Sequence, residues 1–156
     1  MTKNSDLWGE FNSRLETELL TGTRLLNCKK VIRGIATPQT YDEMERPFVM
    51  THFGGVSRYE ILDNTYFAEQ LIFSVFIFCD LDASTDYVTD ILNLRDGVLN
   101  TLETNSSGTA DLTAAGKSLR EWDFETGPIM LTEGGKAASI EVKVKIDSIQ
   151  YTAGGR

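Results

Sequence analysis

The stretch FAEQLIFSVFIFCD, Phe67–Asp80, decides the fold. Leu71, Phe73, Val75 and Ile77 occupy one parity, while Ile72, Phe76 and Phe78 occupy the other. Successive strand side chains point to opposite faces. A strand apolar at both parities is therefore covered on both sides, central in its sheet, beneath helices or another subunit. The apolar run Leu71–Cys79, interrupted by Ser74, is far shorter than the roughly 20 residues needed to cross a bilayer.

Upstream of this strand, Pro47–Phe53 reads as another, with Pro47 at the first position, where a missing N–H does little harm. Gly54-Gly55 breaks or bulges it, Val56–Leu62 resume the pattern, and Asp63-Asn64-Thr65 is the turn. Further back, Leu25–Ile35 is extended and leads into a polar, acidic loop with Pro38, Asp42, Glu43 and Glu45. Trp8, Phe11, Leu15 and Leu19 recur at steps of three and four, which predicts a helix over Ser5–Leu20. Asn4 or Ser5 suits its N-cap and Gly22 its C-cap. Gly9 inside this helix costs about 1 kcal/mol relative to Ala, which points to close packing there or a later helix start.

Downstream, Ser84 or Thr85 is expected to cap a second helix, Thr85–Glu103, whose buried stripe is Val88, Ile91, Leu92, Val98, Leu99 and Leu102. Residues 104–118 are rich in Asn, Ser, Gly, Thr and Ala and read as a flexible loop. Leu119–Glu125 alternates, with Arg120, Trp122 and Phe124 on one side and Glu121, Asp123 and Glu125 on the other. Thr132-Glu133-Gly134-Gly135-Lys136 is a hairpin connection. In the last strand Ala138, Ile140, Val142, Val144 and Ile146 point inward, and Glu141, Lys143, Lys145 and Asp147 outward. Ile149 and Tyr151 break that parity, so a β-bulge is expected near Asp147-Ser148, ahead of a short disordered terminus at 153–156. The expected architecture is α+β over a single domain, 1–156. Its sheet is mixed or mainly antiparallel, with two helices packed on one face.

Composition narrows the function classes. The chain of 156 residues is 41% hydrophobic and 24% charged, a globular balance that argues against disorder. The opening Met1–Asp6 has no apolar run behind a basic stretch, so no signal peptide is expected and an intracellular setting is. Cys28 and Cys79 fit unpaired core thiols of a reducing compartment. The formal net charge of −8 is the wrong sign for general nucleic-acid affinity, which Lys and Arg supply by displacing counterions from phosphates. One basic cluster stands against this trend: Lys29, Lys30 and Arg33 form either a solvated face or a patch for an acidic protein partner.

The residues for catalysis are missing. His52 is the single histidine, and a zinc site would have to gather Cys28, His52 and Cys79 without close ligand pairs. Cys79 lies in the most buried strand, where a nucleophilic thiolate is disfavoured. Asp80-x-Asp82-x-Ser84-x-Asp86 has the alternation of a calcium loop, but Thr85 stands where the turn glycine is required and Ile91 where the bidentate Glu is. Those acids instead end a strand and cap a helix. Glu121, Asp123 and Glu125 repel one another on one strand face, a pattern that suits a solvated or pore-facing surface. The glycine pairs 54–55 and 134–135 lack phosphate-loop spacing. No cofactor, metal or membrane is expected, and no enzyme.

The opening helix around Trp8, Phe11 and Leu15, the strand entry Pro47-Phe48-Val49 after a polar loop, and the long strand Phe67–Asp80 running into the second helix form a pattern. The closing pair around Trp122-Asp123-Phe124 and Ile140–Ile146 completes it. In this order, size and acidity the chain resembles the tail terminator (tail completion) proteins of long-tailed bacteriophages. The likeness covers most of the chain and is one of pattern rather than of a diagnostic motif. It implies a hexameric ring that caps the tail tube, stops polymerisation and offers a surface to the head or neck connector. In contractile tails the ring also meets the sheath. The implied partners are other copies of the chain, the tail tube protein, the connector and, in contractile tails, the sheath protein. The implied setting is the virion tail or neck, assembled in the host cytoplasm. DNA would pass through an acidic lumen without specific binding, with Glu121, Asp123 and Glu125 as part of its lining. Thr132, Glu133, Gly134, Gly135 and Lys136, with the 104–118 loop, would reach a neighbouring subunit or the tube. Two readings compete: another ring-forming virion component, such as a connector or tube subunit, and a small α+β enzyme or ligand-binding domain.

Overall fold

The computed structural model describes residues 4–21, 25, 28–34, 45–61, 66–81, 86–101, 119–132 and 134–151. The order is helix α1 (Asn4–Thr21), strands β1 (Lys30–Arg33), β2 (Phe48–Ile61) and β3 (Tyr66–Asp80), helix α2 (Tyr87–Asn100), then β4 (Leu119–Thr126), β5 (Met130–Leu131) and β6 (Ala137–Tyr151). One six-stranded sheet runs β1-β2-β3-β6-β4, with β5 also on β6. The β1–β2 pair is parallel and every other pair antiparallel, so the sheet is mixed and the fold is α+β.

The doubly apolar strand is the centre. β3 pairs with β2 on one side and, without a register shift from Tyr66↔Tyr151 to Asp80↔Ala137, with β6 on the other. Its odd-numbered residues Leu71, Phe73, Val75, Ile77 and Cys79 are buried in one core with Leu7, Phe11 and Leu15 of α1 and Ile91, Leu94 and Val98 of α2. Both helices therefore pack on one face. The opposite face carries a smaller buried cluster of Phe48, Met50 and Phe78, flanked by Ile32 and Phe76, in which the rings of Phe48 and Phe78 stack at 4.5 Å.

Aromatic and polar contacts fix α1 on the sheet. Phe73 meets Trp8 edge-on at 5.3 Å and Phe11 at 5.0 Å. Beside them the fully buried Asn12 and Thr51 satisfy each other. The Thr51 hydroxyl donates to Asn12 Oδ1, and Asn12 Nδ2 donates to the Trp8 carbonyl at 2.9 Å. Arg14 donates to the Thr101 carbonyl at 3.4 Å, setting a cation of α1 against the C-terminal end of α2, where the helix dipole favours it.

The long β2 strand follows β3 because of its two glycines. A Cβ on Gly54 would stand 3.0 Å from the Ile72 side chain and 3.2 Å from the Ile72 carbonyl, while Gly55 has φ +136°. The register shifts here, between Phe53 and Gly55, so Gly54-Gly55 bulges the strand rather than ending it. Close packing does not explain Gly9: its α-carbon faces open space, and the helix begins before it.

Other expectations are corrected. α2 is capped by Asp86, whose Oδ1 accepts from the Thr89 amide at 3.2 Å and whose Oδ2 accepts from the Thr89 hydroxyl at 2.7 Å; Ser84 and Thr85 lie outside the described residues. Val88 and Leu92 are not in the buried stripe, being 39% and 43% exposed. The stripe runs through Ile91, Leu94 and Val98, and a step of four from Val88 to Leu92 follows the neighbouring side of the helix. The bulge expected near Asp147-Ser148 is not in β6, whose ladder with β3 is unshifted. The irregularity is in β4, between Leu119 and Glu121, opposite those two residues. The 104–118 loop, the 153–156 terminus and Gly22 fall outside the described residues.

Asn12→Leu leaves the buried Thr51 hydroxyl only a long contact to the Ile32 carbonyl at 3.4 Å. It should cost about 1–3 kcal/mol, read as a lower midpoint in urea unfolding. The Thr89 hydroxyl and amide hold the Asp86 carboxyl below the ordinary Asp range. The cap's contribution is therefore complete above that ordinary value and drains as pH falls through the lowered one. Asp86→Ala should remove this acid-side loss, seen as a flatter dependence of helical circular dichroism on pH.

Candidate functional site

The acidic strand lies at one edge of the sheet. β4 pairs with β6 in a register that sets Glu121 opposite Asp147, Asp123 opposite Lys145 and Glu125 opposite Lys143. These positions share the sheet face turned away from the helices, since the alternate β6 residues Val142, Val144 and Ile146 belong to the helix-covered core. Asp123 and Glu125 are exposed; the Glu121 side chain lies outside the described residues. The carboxylates do not simply repel. Lys145 Nζ stands 3.1 Å from Glu125 Oε2, and opposite charges across a strand pair contribute roughly 0.2–1 kcal/mol each. Over β4 and β6 that face carries five acidic positions, with Glu141 added, against Lys143 and Lys145, so this part of it is negative.

The hairpin expected to make contacts is built as a tight connection. The Thr132 amide donates to the Ala137 carbonyl at 3.0 Å, and the Gly135 amide to the Thr132 carbonyl at 2.9 Å. Gly135 has φ +69°, a left-handed conformation that glycine adopts without strain. Gly134, Gly135 and Lys136 are exposed, and Glu133 lies outside the described residues. Beside the hairpin are two residues that patterning did not single out: Met130 and Leu131, 60% and 63% exposed. Phe124 is exposed on the adjoining strand, with the Arg95 guanidinium of α2 5.2 Å from its ring centre. A two-residue strand is too short to show alternation, so only exposure revealed this apolar edge.

The basic cluster sits at the opposite edge. Lys29 and Lys30 are exposed. Arg33 is held by Glu16 of α1, with its Nε at 2.7 Å and its second terminal nitrogen at 3.1 Å from the carboxylate. The two lysines therefore carry the patch, and Arg33 serves the contact between helix and sheet.

The remaining candidates hold structural places. Asp80 accepts from Arg46 at 2.6 Å and Asp86 caps α2, while Asp82 and Ser84 lie outside the described residues. His52 is half-buried in β2, opposite Ser74 in the backbone register. Cys28 and Cys79 are free thiols. Among the described residues no group of three His, Cys, Asp or Glu could hold a metal ion, and no helix is long and apolar enough to cross a membrane.

No protein-family model matches the chain, and no curated protein matches it. Among solved structures the fold is similar to a chain described as "Virion of native gene transfer agent (GTA) particle". The TM-score is 0.51 at 11% identity, over 96% of this chain and 96% of that one. Superposition over nearly the whole of both chains makes the likeness one of complete architecture rather than of a shared supersecondary unit.

Burial pushes the Cys79 thiol up to about 12, with the nearby Asp90 carboxylate adding to the effect, and burial raises Cys28 as well. The thiolate is the reactive form. Both cysteines should therefore resist iodoacetamide at pH 8 in the folded protein and react fully once it is unfolded, as counted by mass spectrometry.

Proposed function

We propose that this protein is a structural virion subunit that forms a ring, hexameric as in the family it resembles, at the end of a phage-type tail tube. There it stops tube growth and presents the joining surface for the head or neck connector. The observation that carries this reading is the end-to-end fold similarity to a chain of a gene transfer agent virion. The ring and the position at the tube end come from the pattern resemblance to tail terminators.

The surfaces fit such a part. A negative sheet face holding Glu121, Asp123 and Glu125 would repel DNA phosphates, so that a genome passing a lumen would slide without sticking. The hairpin Thr132–Lys136, with Met130 and Leu131 beside it, offers apolar contact area to a tube or a neighbouring subunit. Lys29 and Lys30 offer charge to an acidic partner. In a contractile tail the sheath protein would meet the same ring. No enzymatic step enters this role.

Deleting the gene should give tails of uncontrolled length that also fail to join heads, seen by negative-stain electron microscopy of lysates. Normal particles would overturn the assignment. Tubes of normal length that lack only their heads would favour a neck component instead.

A further inference from the structure

The strand order β1-β2-β3-β6-β4 puts the basic and acidic strands at opposite ends of one sheet. Among the described residues β1 pairs only with β2, and β4 only with β6. Among the described residues each is thus an edge strand, the kind of strand on which another chain can pair, although the Phe124 amide already donates to Asp123 Oδ1 at 2.8 Å. In β4 four successive residues, Asp123–Thr126, are exposed at both parities, with Arg95 of α2 reaching Phe124 and Thr126 on the helix side. Exposed charge at the two edges is opposite in sign: Lys29 and Lys30 against Asp123 and Glu125. Lys145 offsets part of Glu125, but it belongs to the next strand in.

Each edge also carries exposed apolar area. At the acidic edge this is Phe124, with Met130 and Leu131 continuing along β5. At the basic edge it is Leu20, 88% exposed. Leu20 lies one turn beyond Glu16 on the same side of α1, and Glu16 reaches Arg33 of β1.

We propose that the β1 edge of one copy docks on the β4–β5 edge of the next, head to tail. The occupant of each edge is thus a second copy of this chain. Charge selects this arrangement: two β4 edges would face carboxylate against carboxylate and two β1 edges lysine against lysine, whereas the mixed pair attracts. An interface between unlike patches repeats around an axis and closes into a ring when the rotation allows. The inference rests on the ring assignment and adds which surfaces build the ring.

Charge exchange tests it on the full chain, with sedimentation velocity and native mass spectrometry as readouts and circular dichroism as the folding check. The wild type should self-associate, more weakly at high salt. K29E/K30E alone, or D123K/E125K alone, should weaken association about tenfold or more. Mixing the two variants should restore it, because each then offers an edge complementary to the other. The quadruple variant should associate by itself, and K29Q/K30Q gives a milder probe should a reversal impair folding. Rings that persist in both reversal variants, or variants that stay apart when mixed, would overturn the edge pairing and leave the ring assignment standing. A wild-type chain that does not self-associate at any concentration or on isolated tail tubes would overturn both.

Discussion

β3 is hydrogen-bonded along its length to β2 and β6 and lies directly beneath both helices. Phe73, Val75 and Ile77 are fully buried on the helix side, and burying side chains of this kind is worth about 1.5–3 kcal/mol each. Phe73 alone touches Trp8, Phe11 and Phe53. Without this strand α1 has no aromatic seat, α2 no floor, and β6 no partner to hold β4 and β5 in place.

Burial of apolar area does not by itself set the orientation of a helix, and directional bonds complete the task. Asn12 and Thr51 are sealed from solvent and satisfied by each other. Sliding α1 by one turn would strand both in an apolar core, where an unmade hydrogen bond costs about 1–3 kcal/mol. The Glu16–Arg33 pair repeats the link at the surface; exposed pairs of this kind contribute little energy, typically 0–1 kcal/mol. Arg46 and Asp80 join the entry of β2 to the exit of β3. Of these contacts the Glu16–Arg33 pair reaches the basic strand β1 at its edge.

The acidic edge arises from topology. β6 is last in the chain yet pairs directly with β3, so β4 is displaced outward. The most regularly apolar final strand goes to the interior, and the strand of alternating acids goes to the rim. The same exchange brings Lys143 and Lys145 opposite Glu125 and Asp123, which turns a column of like charges into a mixed ladder with a negative remainder.

The α+β class, the central strand and the inward parity of Ala138–Ile146 are legible in the sequence. Side-chain periodicity and residue chemistry are local properties, and they survive whatever the strands pair with. The remaining features depend on contacts that form only in the folded chain. Val88 and Leu92 stay exposed because the helix turns Ile91, Leu94 and Val98 toward the sheet, whereas the Asp86 cap on Thr89, three residues on, is a local bond of the kind a sequence window contains. The irregularity falls in β4 because β6 keeps its ladder with β3 intact. Met130 and Leu131 surface beside a hairpin too short to show a pattern, and the two charged strands reach opposite rims. Strand order and register are relations between distant segments, set by which pairings bury the most surface, and no local window of sequence contains them.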